Sequence, residues 1–79
     1  MEYVDGESIL VGDKVSIDTK YSGKVLANIS AGEFSDSCPK EGWAHLKSGV
    51  LIDTDFGGLV HYPTQKALAE DDVELVSRS

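Results

Sequence analysis

The run Asp53-Thr54-Asp55-Phe56-Gly57-Gly58 sets two carboxylates one residue apart, the spacing at which oxygen ligands begin to encircle a hard cation in a calcium loop. The pattern then stops, because Gly57 stands at the fifth position, Thr64 at the twelfth where a glutamate is needed, and no flanking helices are expected. Asp53 and Asp55 are therefore expected as hairpin carboxylates that project to one face of a strand, with no metal site assigned; the alternative is a weak divalent-ion site. His45 and His61 have neither a cysteine nor a carboxylate at a recognised ligand spacing. Strand alternation sends His61 to the face opposite Val60 and Tyr62, so it meets solvent or, with Tyr62, lines an interface or ligand site. Cys38 becomes a nucleophile only with a nearby base and a depressed pKa, and the sequence supplies neither. It is expected to be an ordinary thiol. No catalytic residue and no cofactor are assigned.

Aromatic residues outside a core are enriched at binding hot spots, and strand alternation accounts least for Tyr21, Phe34 and Trp43. Phe34 and Trp43 occupy a segment that also carries Glu33, Asp36 and Glu41, while Phe56 sits at the tip between Asp55 and Gly57. The candidate partner-binding residues are Phe34, Asp36, Glu41, Trp43, Asp53, Asp55 and Phe56. The bland alternative is that Phe34 and Trp43 seal the end of a barrel.

These residues need strands to position them. The stretch Gly49 to Pro63 reads as a tight β-hairpin, with β-prone Val50, Leu51, Ile52, Leu59, Val60 and Tyr62 on either side of a turn containing Gly57 and Gly58. Lys14-Val15-Ser16-Ile17-Asp18 alternates with the period of a one-face-buried strand after a turn at Gly12-Asp13. A turn from Lys20 to Gly23 leads to a second strand, Lys24 to Ile29. From Ser30 to Ser48 the periodicity fails, and a long loop is expected, with Trp43 and Leu46 sharing one side of a short helical turn after Pro39. Thr64 to Glu70 is expected as a connecting turn, and Val73 to Val76 as a last short strand, with Ser77-Arg78-Ser79 fraying. The expected fold is all-β, a small barrel of about five antiparallel strands in one domain, residues 1–79.

Composition narrows the function classes. Seventy-nine residues lie near the lower size limit for a core without staples, and an apolar fraction of 41% still predicts a compact fold. The single cysteine rules out an intramolecular disulfide. With no basic, apolar leader at the start and no apolar run long enough to span a bilayer, a cytoplasmic protein without membrane association is expected. Fourteen acidic residues against seven basic ones, a net charge of −7, disfavour nucleic-acid phosphates; the charge serves solubility alone or speeds encounter with a basic protein partner.

The order Val11-Gly12-Asp13-Lys14-Val15, Gly23-Lys24-Val25, Gly58-Leu59-Val60-His61-Tyr62-Pro63 and Val73-Glu74-Leu75-Val76 resembles the SH3-like barrel layout. Within that class it is most similar to the short plasmid- and integron-borne type II dihydrofolate reductases of bacteria, over about Val11 to Val76. Those proteins also run a Gly-Asp-basic-Val strand, a Gly-x-Val strand, a Val-Gln-Ile-Tyr-Pro strand and a short acidic C-terminal strand, and work as homotetramers around a central pore. Here Val60 and His61 stand where that family has its pore glutamine and isoleucine, and Tyr62 is retained. The resemblance implies the fold and self-association, not reductase activity. The functional expectation is a small acidic, non-enzymatic module that binds a protein, in one form an immunity- or antitoxin-like inhibitor or an adaptor. The alternative is a homo-oligomeric ligand-binding protein or enzyme with a site at the subunit interface.

Overall fold

A β-bulge at Leu26 decides how this sheet is covered. In the computed structural model, which describes residues 2–3, 5–36, 38–43 and 46–78, Val25 stands opposite Ile52, but Ala27 stands opposite Leu51, so Leu26 is an extra residue. Because side chains alternate with a period of two, one extra residue reverses the faces of everything after it. Val25 therefore points into the main core with Val15, Ile17, Val50 and Ile52, while Ala27 turns outward to join Leu51, Ile29 and Cys38 in a second apolar cluster. The same reversal turns Asn28 inward, where it is buried and its Nδ2 donates to the Ile9 carbonyl at 3.0 Å.

The strands are β1 (Lys14–Ile17), β2 (Tyr21–Asn28), β3 (Val50–Thr54), β4 (Gly58–Tyr62) and β5 (Val73–Ser77), all antiparallel in one open sheet of order β4-β3-β2-β1-β5. The fold is thus all-β and barrel-like, with five antiparallel strands as the sequence pattern predicts. Two short helices accompany them, α1 (Lys40–Trp43) and α2 (Gln65–Glu70). Helix α2 is where a plain turn is expected from sequence. Thr64 caps it by accepting from the Ala67 amide, helix-favouring alanines fill it, and Leu68 fastens it into the main core. It touches both edge strands, β4 and β5, and so spans the gap that the open sheet leaves.

The turns follow local chemistry. Asp18 and Thr19, both at φ 55°, form the β1–β2 turn, so β2 starts at Tyr21, earlier than Gly23 suggests. Gly23 is not a breaker: it stands inside the strand because a Cβ there would meet Ile52 Cγ2 at 2.7 Å. At the β3–β4 tip Gly58 supplies φ 70°, and Thr54 Oγ1 accepts from the Gly57 amide and donates to the Gly58 carbonyl. The fraying expected near the end of the chain stops short of Arg78. Ser77 belongs to β5, and Arg78 Nη2 donates to the Ser8 carbonyl at 2.7 Å; Ser79 lies outside the described residues.

Two buried tyrosines tie the core to carboxylates. Tyr3 donates to Asp13 Oδ2 at 2.6 Å, and Tyr62 donates to Asp71 Oδ2 at 2.8 Å. Burial, then these hydrogen bonds to acidic partners, raise both phenols well above the ordinary tyrosine value of 10.0. A raised pKa means that the folded state holds its proton longer than the unfolded one. The stabilisation is therefore complete below pH 10 and falls once the unfolded phenol begins to ionise. Urea unfolding at pH 10 and at pH 11 should show the parent protein losing about 1 kcal/mol more over that unit than Tyr3→Phe or Tyr62→Phe. Parallel slopes in parent and variants would show that neither phenol is linked to folding.

Candidate binding surfaces

The segment from Ser30 to Ser48 folds over the outer side of β2 and β3. Phe34, Trp43 and Leu46 pack, half-buried, against the cluster of Ala27, Ile29, Cys38 and Leu51. The helical turn expected for Trp43 is α1, and Trp43 and Leu46 lie on the same cluster. These aromatics hold their own loop in place. Asp36 and Glu41 are exposed on it, and His45 lies outside the described residues. Cys38 is 1% exposed, and burial followed by the nearby Asp53 carboxylate pushes its thiol pKa upward, away from the range of a reactive thiolate.

His61 and Tyr62 are engaged within the chain. His61 stands opposite Leu51 on the outer face, half-buried, with Nε2 3.0 Å from the Ser48 carbonyl, so it clasps the end of the loop. Tyr62 is 3% exposed, faces the main core, and spends its hydroxyl on Asp71.

The exposed aromatics gather at the opposite end of the hairpin. The rings of Tyr21 and Phe56 meet with centroids 4.7 Å apart at an interplanar angle of 53°, although 39% of Tyr21 and 47% of Phe56 remain exposed. The contact exists because Asp55 donates its amide to the Ser22 carbonyl at 3.0 Å, holding the β3–β4 tip against the start of β2. Beside the pair lies a cavity of about 280 Å³, lined by Ile17, Asp18, Tyr21, Phe56, Glu70 and Asp71. Asp18 is carried there by the β1–β2 turn, and its amide donates to the Asp71 carbonyl at 2.9 Å. Glu70 ends α2, and Asp71 caps it. Among the described residues the ion pairs within 4.0 Å all involve Arg78, so none of these three carboxylates is paired with a described basic side chain. Two aromatic faces beside three acids suit a cation, since the ring quadrupole and the carboxylates attract the same charge.

Phe56 thus lies in this cleft, whereas Asp53 and Asp55 line a separate groove on the outer face with Lys14 and Lys24. Sequence reasoning singled out Tyr21 and Phe56 separately but missed Asp18, Glu70 and Asp71. The one signal for Glu70 and Asp71 is the acidic run Glu70-Asp71-Asp72, whose position beside the hairpin tip depends on α2; nothing in the sequence marks Asp18. Among the described residues no group of three His, Cys, Asp or Glu is arranged to hold a metal ion, and no helix is long and apolar enough to cross a membrane. Comparison with known protein families, with curated proteins and with solved structures gives no match.

Proposed function

We propose that this protein is a non-enzymatic binding module that captures a basic segment of a partner protein in the cleft beside the Tyr21–Phe56 pair. The observation that carries this reading is the exposed aromatic pair over a cavity walled by Asp18, Glu70 and Asp71. A lysine or arginine entering it would meet ring faces and carboxylates together, and an arginine plane could also stack on a ring. The net charge of −7 favours encounter with a basic surface, as in an inhibitor that masks a cationic protein. Phe34 and Trp43, packed on the loop's own cluster, play a supporting part, while Asp36, Glu41, Asp53 and Asp55 add to the long-range field.

Native mass spectrometry after gentle capture from the source cell, run on the parent and on Phe56→Ala, tests the reading. The expected result is a complex with a basic protein, weakened about tenfold or more by Phe56→Ala and by raising the salt concentration. A partner retained equally by the variant, or only a homo-oligomer carrying a small ligand, would overturn it. The second outcome would favour a site between subunits.

A further inference from the structure

Cross-strand pairing aligns Lys14 opposite Lys24 and Lys24 opposite Asp53, so β1, β2 and β3 contribute one row of two cations and an anion to the outer face. Like charges directly opposite on neighbouring strands destabilise a sheet. In a chain with only seven basic residues, neither lysine has a carboxylate within 4.0 Å among the described residues. The row floors a groove of about 410 Å³ that also takes in Ser22, Asp55 and Val76. Val76 is displaced by a register shift in the β1–β5 pairing, since Lys14 stands opposite Ser77 and Val15 opposite Leu75, and it is 64% exposed.

We propose that this groove binds a small amphoteric ligand, an amino-acid-like molecule or short peptide that carries a carboxylate at one end and an ammonium at the other. Lys14 and Lys24 supply donors for the carboxylate, with the Ser22 hydroxyl beside them. Asp53 and Asp55, further along the same groove, accept from the ammonium. A simple anion would be repelled by the two aspartates and a simple cation by the two lysines, so only a molecule with both charges is attracted throughout. Val76 offers contact to a short aliphatic body between them, and the cavity lies within the size range of small-molecule sites. The site is independent of the aromatic cleft. Tyr21 and Ser22, as neighbours in one strand, point to opposite faces.

The test is an amide chemical-shift titration with free amino acids and with glycyl-valine, N-acetylglycyl-valine and glycyl-valinamide, up to about 10 mM, the range of weak specific binding. The expected result is saturable shifts at Lys14, Ser22, Lys24 and Asp53 with at least one amphoteric probe, and about tenfold weaker binding when either charge is capped. Lys24→Met should abolish the shifts and change the melting temperature little, because it removes both the like-charge pair with Lys14 and the opposite-charge pair with Asp53; Asp53→Asn should weaken the amphoteric probes alone. No saturable shift with any amphoteric probe would overturn the proposal. So would N-acetylglycyl-valine binding as tightly as glycyl-valine, which would make the groove a plain anion site.

Discussion

Gly49→Ala should cost about 3 kcal/mol or more of folding stability, a large part of what a domain of this size has. Gly49 sits at φ +99°, in the left-handed region where a Cβ is strained, just before β3. A Cβ there would overlap the Tyr62 carbonyl oxygen and lie 2.8 Å from both Pro63 Cα and His61 Nε2. Two of these three obstacles are backbone and cannot swing aside. Nor can Gly49 itself move freely. Its amide donates to Ser30 Oγ at 2.8 Å, and its carbonyl accepts from the Ile29 amide at 2.9 Å. Relieving the overlap would pull β3 away from β4 and release the loop end that His61 holds through the Ser48 carbonyl. Gly42→Ala is the matched control. It lies in α1 at an ordinary φ with no atom within 4 Å of a new Cβ, and alanine is the better helix former by about 1 kcal/mol. Urea unfolding of the two variants should move in opposite directions. A Gly49→Ala protein within about 1 kcal/mol of the parent would show that the β3–β4 junction relaxes cheaply.

Gly49 also illustrates what the sequence conceals. The hairpin it opens is legible from Val50-Leu51-Ile52 and the glycines at the tip, because both the alternation and the turn are local. The same holds for β1 and β5. The bulge at Leu26 is not legible: Lys24 to Ile29 reads as one uninterrupted alternation, and only the partner strand reveals that Ala27 pairs with Leu51 and changes face. Once that reversal is known, the role of Phe34 and Trp43 follows, since an outward Ala27 and Leu51 need a cover and the aperiodic loop provides it. Helix α2 was hidden by its length, six residues with a single buried leucine, too few to establish a helical period. The aromatic cleft depends on three separate elements meeting at one end of the sheet. Tyr21 and Phe56 are individually noticeable, but their contact is set by the Asp55 to Ser22 hydrogen bond, a tertiary fact.

That hydrogen bond places two surfaces of different chemistry back to back. From the Tyr21-Ser22 pair, Tyr21 goes to the acidic cleft and Ser22 to the lysine groove; from the Asp55-Phe56 pair, Phe56 goes to the cleft and Asp55 to the groove. Tyr21 and Ser22 are successive strand residues and face opposite ways, while the β3–β4 turn parts Asp55 from Phe56, so two short dipeptides serve both surfaces. A change that loosens the hairpin tip should therefore weaken both, whereas Phe56→Ala and Lys24→Met should each weaken one.

Asp13→Ala should destabilise the protein by about 3–5 kcal/mol, the range for removing one partner from a buried charged network. Asp13 is 1% exposed, and its Oδ2 accepts from both the Tyr3 hydroxyl at 2.6 Å and the Leu10 amide at 3.0 Å. Its Oδ1 lies 3.9 Å from Arg78 Nε, so one carboxylate links the residues before β1 to the residue after β5. Alanine would leave the Tyr3 hydroxyl and the Leu10 amide without acceptors and open a void beside Tyr3 and Ile9, both 2% exposed. The hydrogen bonds, rather than the ion pair, carry most of this effect. Arg78 is 35% exposed in its side chain and stands at the far limit of ion-pair distance, so Arg78→Ala should cost about 1–2 kcal/mol, most of it from the lost hydrogen bond to the Ser8 carbonyl. A double-mutant cycle of Asp13→Ala with Tyr3→Phe, read by urea unfolding, should give a coupling of about 1.5–3 kcal/mol, because each single change disrupts the same charged hydrogen bond. Equal losses for Asp13→Ala and Arg78→Ala would instead assign the stabilisation to the ion pair. A coupling near zero would mean that Tyr3 is held by packing alone, and that the hydroxyl finds water once the carboxylate is gone.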